Sequence, residues 1–315
     1  MQRREFLKLS TALATSGATA NLSEALRTDE TVGSNARTPA DELRFNIARL
    51  RKLDDHLGGA DTYKLYIAEV DKTLALLKNR SHAIAARAEL LRLLSEQQQQ
   101  AGWAAFDAGW HETAKKLYEQ AFTAARESNS PDLAGNALAF RAYQVVSTGG
   151  DGTGITDRSL AIGAADAGMR VLLPQRGAWT YAVAGQPERT ARLLDQAERA
   201  IHESQGEDTP GWAAWASDVV EQEIITGRCW AELRRPLRAV PALESAMRRY
   251  DDSHARDKAL YLSSLADAYV DAAEPEQAAA VAGRALTLAT DVASVRPMHR
   301  IRAVANRLDG TSDAE

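Results

Sequence analysis

Residues Ala101–Ala125 read AGWAAFDAGWHETAKKLYEQAFTAA, and the spacing of small and large residues in this stretch decides the fold. The stretch reads as two helices joined by a tight turn. Gly102, Ala114 and Ala121 are small, Tyr118 is large, and all four stand where one helix presses on the other. Twelve residues separate Gly102 from Ala114, four more lead to Tyr118 and three more to Ala121. The same spacing returns at Ala178, Thr190, Leu194 and Ala197. It returns again at Gly227, Ala239, Leu243 and Ala246, and at Ala266, Ala278, Ala282 and Ala285. Small residues let paired helices approach closely, and the larger one fills the space between neighbouring pairs. Four units in phase predict a stack of helical hairpins.

That spacing is the signature of the tetratricopeptide (TPR) unit. The predicted fold is therefore all-α, a TPR-like right-handed superhelical solenoid of antiparallel helix pairs. A count of about 150 residues per domain would suggest two domains, but a repeat array grows in one dimension without a second core. The 315 residues are 45% apolar, enough for a continuous helical core. Lys and Arg number 38 against 43 Asp and Glu, for a net charge of −5. A basic balance of the kind that marks a standalone DNA-binding domain is missing. One cysteine, Cys229, excludes an intramolecular disulfide framework and reads as a small core residue. The sequence has no run of about 18 apolar residues of the kind that spans a bilayer.

Four regions follow along the chain: an N-terminal segment and linker over 1–38, a helical pair over 39–80, TPR-like repeats over 81–292, and a capping helix with a tail over 293–315. Arg3-Arg4-Glu5-Phe6-Leu7-Lys8 resembles a twin-arginine export motif, with Arg3, Arg4, Phe6 and Leu7 as its carriers and Ala18-Thr19-Ala20 in signal-peptidase form. A short amphipathic helix or linker is the alternative. Pro131 and Pro187 stand where a first helical turn tolerates proline. The Gln97–Gln100 run, inside a periodic helix, reads as a solvated or groove-lining face. TGGDGTG at Thr148–Gly154 lacks the Gly-Lys-Ser/Thr end of a phosphate loop and reads as an enlarged turn before a helix over 156–167. A single long helix is expected over 211–233, with Trp212 and Trp215 near its start, and a basic amphipathic cap over 298–308.

No catalytic constellation is evident. The six histidines fall at no metal-ligand spacing, and neither H-E-x-x-H nor G-x-S-x-G occurs. The reading is non-enzymatic, with no metal and no cofactor. In a TPR array the first helix of each pair faces the concave groove. Alignment on the small residues puts Gln99, Trp103 and Phe106 there from the first repeat, and Asn136, Phe140 and Tyr143 from the second. The third contributes Gln175, Arg176 and Trp179, and the fourth Arg228. Aromatics offer contact area, amides bond a peptide backbone, and arginine holds a carboxylate bidentately. The alternative for each aromatic is packing between repeats.

LDDHLGGADTY at Leu53–Tyr63, AGWAAFDAG at Ala101–Gly109, GRCWAEL and LESA within Gly227–Ala246, and YLSSLADAYVDAAEPEQAAAVAGRALTLA at Tyr261–Ala289 carry a family resemblance. They resemble the C-terminal half of actinobacterial helix-turn-helix regulators of the lambda-repressor-like type, where a TPR-like sensor region follows a DNA-binding domain. The resemblance covers about Asp41 to Leu308. The segment before Asp41 has no room for the family's DNA-binding helices, so direct nucleic-acid binding does not carry over. The resemblance implies a cytoplasmic sensor or adaptor that takes a peptide, small ligand or partner protein in its groove, as a homo- or hetero-oligomer with related regulators. Two alternatives stand beside it: a TPR scaffold exported by the twin-arginine route, and a regulator whose start, with its DNA-binding domain, lies upstream.

Overall fold

The computed structural model describes residues 38–312, apart from 55–56, 79–82, 205–206, 291 and 293. Arg3, Arg4, Phe6 and Leu7 lie outside the described residues. Those residues form thirteen α-helices and no strand. They are α1 (Pro39–Asp54), α2 (Gly59–Leu77), α3 (Ile84–Asp107), α4 (His111–Glu127), α5 (Pro131–Ser147), α6 (Thr153–Ile162) and α7 (Ala167–Val183). After them come α8 (Pro187–Glu203), α9 (Val219–Glu232), α10 (Pro236–Arg249), α11 (Ala255–Asp271), α12 (Pro275–Ala289) and α13 (Arg296–Ser312).

The hairpins α3–α4, α7–α8, α9–α10 and α11–α12 turn in the same way. Gly109, Gly185, Arg234 and Ala273 each adopt positive φ, at 83°, 67°, 56° and 59°. Each stands seven residues after the small residue of its unit: Gly102, Ala178, Gly227 or Ala266. In each, the next N–H reaches back across the turn to a carbonyl of the ending helix: Trp110 to Ala105, Gln186 to Tyr181, Arg235 to Trp230 and Glu274 to Tyr269, at 2.8–3.0 Å. This is the left-handed helix stop that satisfies otherwise orphaned carbonyls. The following helix then begins at once, with proline in its first turn at Pro187, Pro236 and Pro275.

The small residues work through contact distance. A Cβ on Gly102 would sit 2.5 Å from Tyr118 Cε1, and one on Gly227 would sit 2.5 Å from Leu243 Cγ. Both partners lie sixteen residues on, at the large position of the same unit. The spacing that marks the repeat is thus the interlock between its two helices.

The odd-numbered helices form the inner row. α1 packs on α3, α3 on α5, α5 on α7, α7 on α9, α9 on α11, and α11 on α13. α4, α6, α8, α10 and α12 each pack on the helix before them, outside that row. One apolar cluster runs along the row from Ile47 through Phe106, Tyr143 and Trp179 to Cys229. Cys229 is fully buried, and burial pushes its thiol pKa up.

The row closes on itself. Arg256 at the start of α11 bonds Asp54 at the end of α1 at 3.2 Å, 202 residues away. Ser294 Oγ and Arg296 Nε donate to Asp107 at 2.8 and 2.6 Å, and Val295 N–H donates to the Asp107 carbonyl at 3.2 Å. Asp107 also accepts from Gly59 N–H at 3.0 Å and is fully buried. The two ends of the array therefore meet at α1–α3.

Three expectations are corrected. The helix over 211–233 is broken: a short 3₁₀ turn over Ala214–Ser217 precedes α9, because extended Asp218 turns its carboxylate onto the Val220 and Glu221 N–H groups and caps a new helix. The helix over 156–167 is shifted to Thr153–Ile162. Gly163 at φ 78° stops it, and Asp166 caps α7 through Gly168 and Met169. Gln97, Gln98 and Gln99 are buried and face no groove. Consecutive helix positions point in different directions, and α3 is covered on several sides by α1, α2, α4 and α5. Gln100 alone of the run reaches the cavity described next.

Candidate functional site

A cavity of about 490 Å³ lies at the centre of the closed row. Every odd-numbered helix contributes to its wall: Arg51 and Asp54 from α1, Gln100 and Trp103 from α3, Phe140 and Tyr143 from α5. Gln175 and Arg176 come from α7, Glu221 and Arg228 from α9, Arg256 and Tyr261 from α11, and Arg296 from α13. Trp212 and Trp215, from the segment before α9, and Tyr250, after α10, complete its aromatic lining.

The ten residues expected to face the groove divide into two sets. Trp103, Phe140, Tyr143, Gln175, Arg176 and Arg228 line the cavity. Gln99, Phe106, Asn136 and Trp179 stand behind its wall, each at most 4% exposed. Gln99 accepts from Asn136 at 2.7 Å and donates to the Leu133 carbonyl at 3.1 Å, which ties α3 to α5. Gln175 plays the corresponding part between α7 and α9, donating to Gln222 and to the Ala216 carbonyl, both at 2.9 Å. Phe106 and Trp179 pack in the main core.

Arg176 occupies the middle of an aromatic box. Its guanidinium carbon lies 5.6 Å from the Trp103 ring centre, 5.7 Å from Phe140, 4.9 Å from Tyr143 and 5.1 Å from Trp215. Among the described residues it donates no side-chain hydrogen bond and has no carboxylate within ion-pair distance. Burial pulls its pKa down, only partly offset by Tyr143 and Tyr261. Arg228 is 6% exposed and stacks 4.4 Å from the Trp179 ring centre. Its Nη2 donates to Tyr143 Oη at 3.2 Å, while its buried Nε has no partner.

The other arginines of the wall differ. Arg256 is paired with Asp54 and Asp257, each at 3.2 Å, and Arg296 with Asp107 at 2.6 Å. Arg51 pairs with Glu96, and Arg249 with Glu223. The field of these cations falls on Tyr143. Burial alone would raise its phenol, yet Arg228, Arg296 and Arg176 together bring it down to about 8. Opposite in sign, Glu221 is pushed up to about 7 by burial and by the Asp257 charge, against a 3.3 Å hydrogen bond from Tyr261.

Sequence spacing missed Arg256, Arg296, Glu221, Trp215 and Tyr261. Arg256 and Arg296 reach the cavity only because the ends of the row meet, which no repeat period encodes. Trp215 is placed by the break that Asp218 imposes. Among the described residues no group of His, Cys, Asp and Glu is arranged to hold a metal ion, and no helix is long and apolar enough to cross a membrane. The chain matches no model of a known protein family and no curated protein.

Proposed function

We propose that this chain is a non-enzymatic, TPR-type sensor or adaptor that takes a ligand into the cavity ringed by its inner helices. The observation that carries this reading is Arg176, a guanidinium held among four aromatic rings inside a 490 Å³ cavity, with no carboxylate within ion-pair distance of it among the described residues. Cavities of about 300–1,000 Å³ with aromatic walls and few polar groups are the usual form of small-molecule sites. The wall is drawn from all seven inner helices, so a bound molecule touches the whole array at once. A ligand that fits one curvature of the array better than another shifts the population between them. The seam between the ends, Arg256 with Asp54 and Arg296 with Asp107, is where such a change would be felt. The resemblance to the sensor halves of helix-turn-helix regulators supports the same role, with a related regulator as partner.

The test is thermal unfolding of the purified chain with fractions of the low-molecular-mass pool of its host. A ligand present at 100 times its Kd stabilises the folded state by about 2.7 kcal/mol, which raises Tm by several degrees. The expected result is one or more fractions that raise the Tm of wild type and leave that of Phe140→Ala unchanged. If no fraction shifts the wild type and no protein partner is captured with it, the sensor reading fails.

A further inference from the structure

We infer that the ligand is a small organic anion: Arg176 and Arg228 hold its carboxylate, phosphate or sulfonate, and its flat apolar body lies against Trp103, Phe140 and Trp215. This rests on the cavity being a ligand site and adds the chemistry of what enters it.

A guanidinium carries five N–H groups in its plane. Its faces, not its edge, are what aromatic rings satisfy. Arg176 lies against four rings and gives no in-plane hydrogen bond to any described residue. Arg228 has one, to Tyr143, and a buried Nε with none. The Arg176 edge therefore stays open in a wall rich in aromatic rings, with Arg228 beside it, and an oxyanion such as a carboxylate or phosphate is the group that matches such an edge bidentately.

The protein's own anions do not fill this role. Asp54 and Asp257 belong to Arg256. Asp218 caps α9, and Asp251 accepts from Ser253 N–H. Glu221 receives the Tyr261 hydroxyl. Among the described residues none of these carboxylates comes within 4.0 Å of Arg176 or Arg228, while every other arginine of the cavity wall has such a partner. The two exceptions both face the cavity and are joined through Tyr143: Arg228 bonds its hydroxyl, and Arg176 lies over its ring. The lowered phenol pKa of Tyr143 reports the positive potential at that point.

The probes are 8-anilinonaphthalene-1-sulfonate and its uncharged counterpart N-phenyl-1-naphthylamine, which differ by one sulfonate and fluoresce on entering an apolar site. Fluorescence titration of wild type is expected to give one sulfonate probe per chain, bound about tenfold or more tighter than the neutral one, in keeping with a charge-assisted hydrogen bond. Arg176→Gln should lose that preference and keep neutral-probe affinity within about twofold, and Arg176→Lys should fall between, since it keeps the charge and loses the fork. Arg228→Gln provides the second variant. Each variant is first checked for a cooperative thermal transition, since a loosened core would itself take up the sulfonate probe. Equal affinity for both probes, unmoved by either variant, overturns the anion assignment and leaves the cavity as a site for neutral ligands. Binding of neither probe to folded wild type overturns both.

Discussion

The cavity shifts Glu221 and Tyr143 in opposite directions, the acid upward and the phenol downward. Glu221 is pushed from 4.5 up to about 7. The native state therefore keeps a proton that the unfolded chain releases between those values. Its stability is fully present below about pH 4.5 and is lost as pH rises through 7, by up to about 3 kcal/mol. The groups facing it are Asp257, Tyr250, Tyr261 and Arg228. We predict that Glu221→Gln leaves Tm unchanged at pH 4.5 and raises it at pH 8; equal shifts at both would assign the effect to packing. Tyr143, lowered from 10 to about 8, has the reverse sign: the native state gains stability as pH rises from 8 to 10. Tyrosinate absorbance should reveal one phenol titrating near 8 that disappears in Tyr143→Phe and moves upward in Arg228→Gln. A titration with every tyrosine at 10 or above would contradict the field assigned to the three arginines.

Within the α3–α4 and α9–α10 hairpins, the glycine at the crossing determines how closely the two helices pack. Gly102→Ala places a methyl 2.5 Å from the Tyr118 ring, which is itself buried. We expect a loss of about 1–3 kcal/mol, read by urea unfolding. Gly283, on the open side of α12 with nothing within 4 Å of a Cβ, is the control: Gly283→Ala should stabilise by about 0.5–1 kcal/mol through helix propensity. Matching signs at the two sites would mean that the close approach is not what the small residue provides. This contrast explains what the sequence made legible. The interlock at Gly102 and Tyr118 is local, recurs at Gly227 and Leu243, and so was visible as spacing. Its in-phase positions located Trp103, Arg176 and Arg228 on the inner row. Periodicity did not separate Trp103, at the cavity, from Phe106, three residues on and buried in the core. Nor did it separate Gln100 from Gln99, because a helix packed on several sides carries no polar face to read. The break at Asp218 was missed because Trp212, Trp215 and Val219 continue an apolar helical spacing across it, while one capping carboxylate decides the geometry.

The array as a whole is held shut by a few charged contacts between residues far apart in sequence. Asp107 is the densest of them, taking Gly59 N–H from α2 and Ser294 and Arg296 from the chain's other end. Asp107→Ala leaves buried Arg296 with only Asp257, at 4.0 Å, and breaking one partner of a buried pair costs about 3–5 kcal/mol. We expect a lower Tm and, by small-angle scattering, a larger radius of gyration as the ends part. A lower Tm with unchanged dimensions would mean that the apolar row alone sets the curvature. Closure also gives the cavity its character, since Arg256 and Arg296 meet Asp54 and Asp107 at the seam and leave Arg176 and Arg228 as the pair without a carboxylate among the described residues. A partly buried cation without a counter-charge opposes folding, and a binding site commonly carries such a cost. The melting temperature of Arg176→Gln beside wild type, each with and without 8-anilinonaphthalene-1-sulfonate, tests this directly. The empty variant is expected to melt above empty wild type, and the anion to raise Tm of the wild type only. A variant that melts below wild type, with both raised equally by the anion, would mean that Arg176 serves the fold and that the cavity does not select for charge.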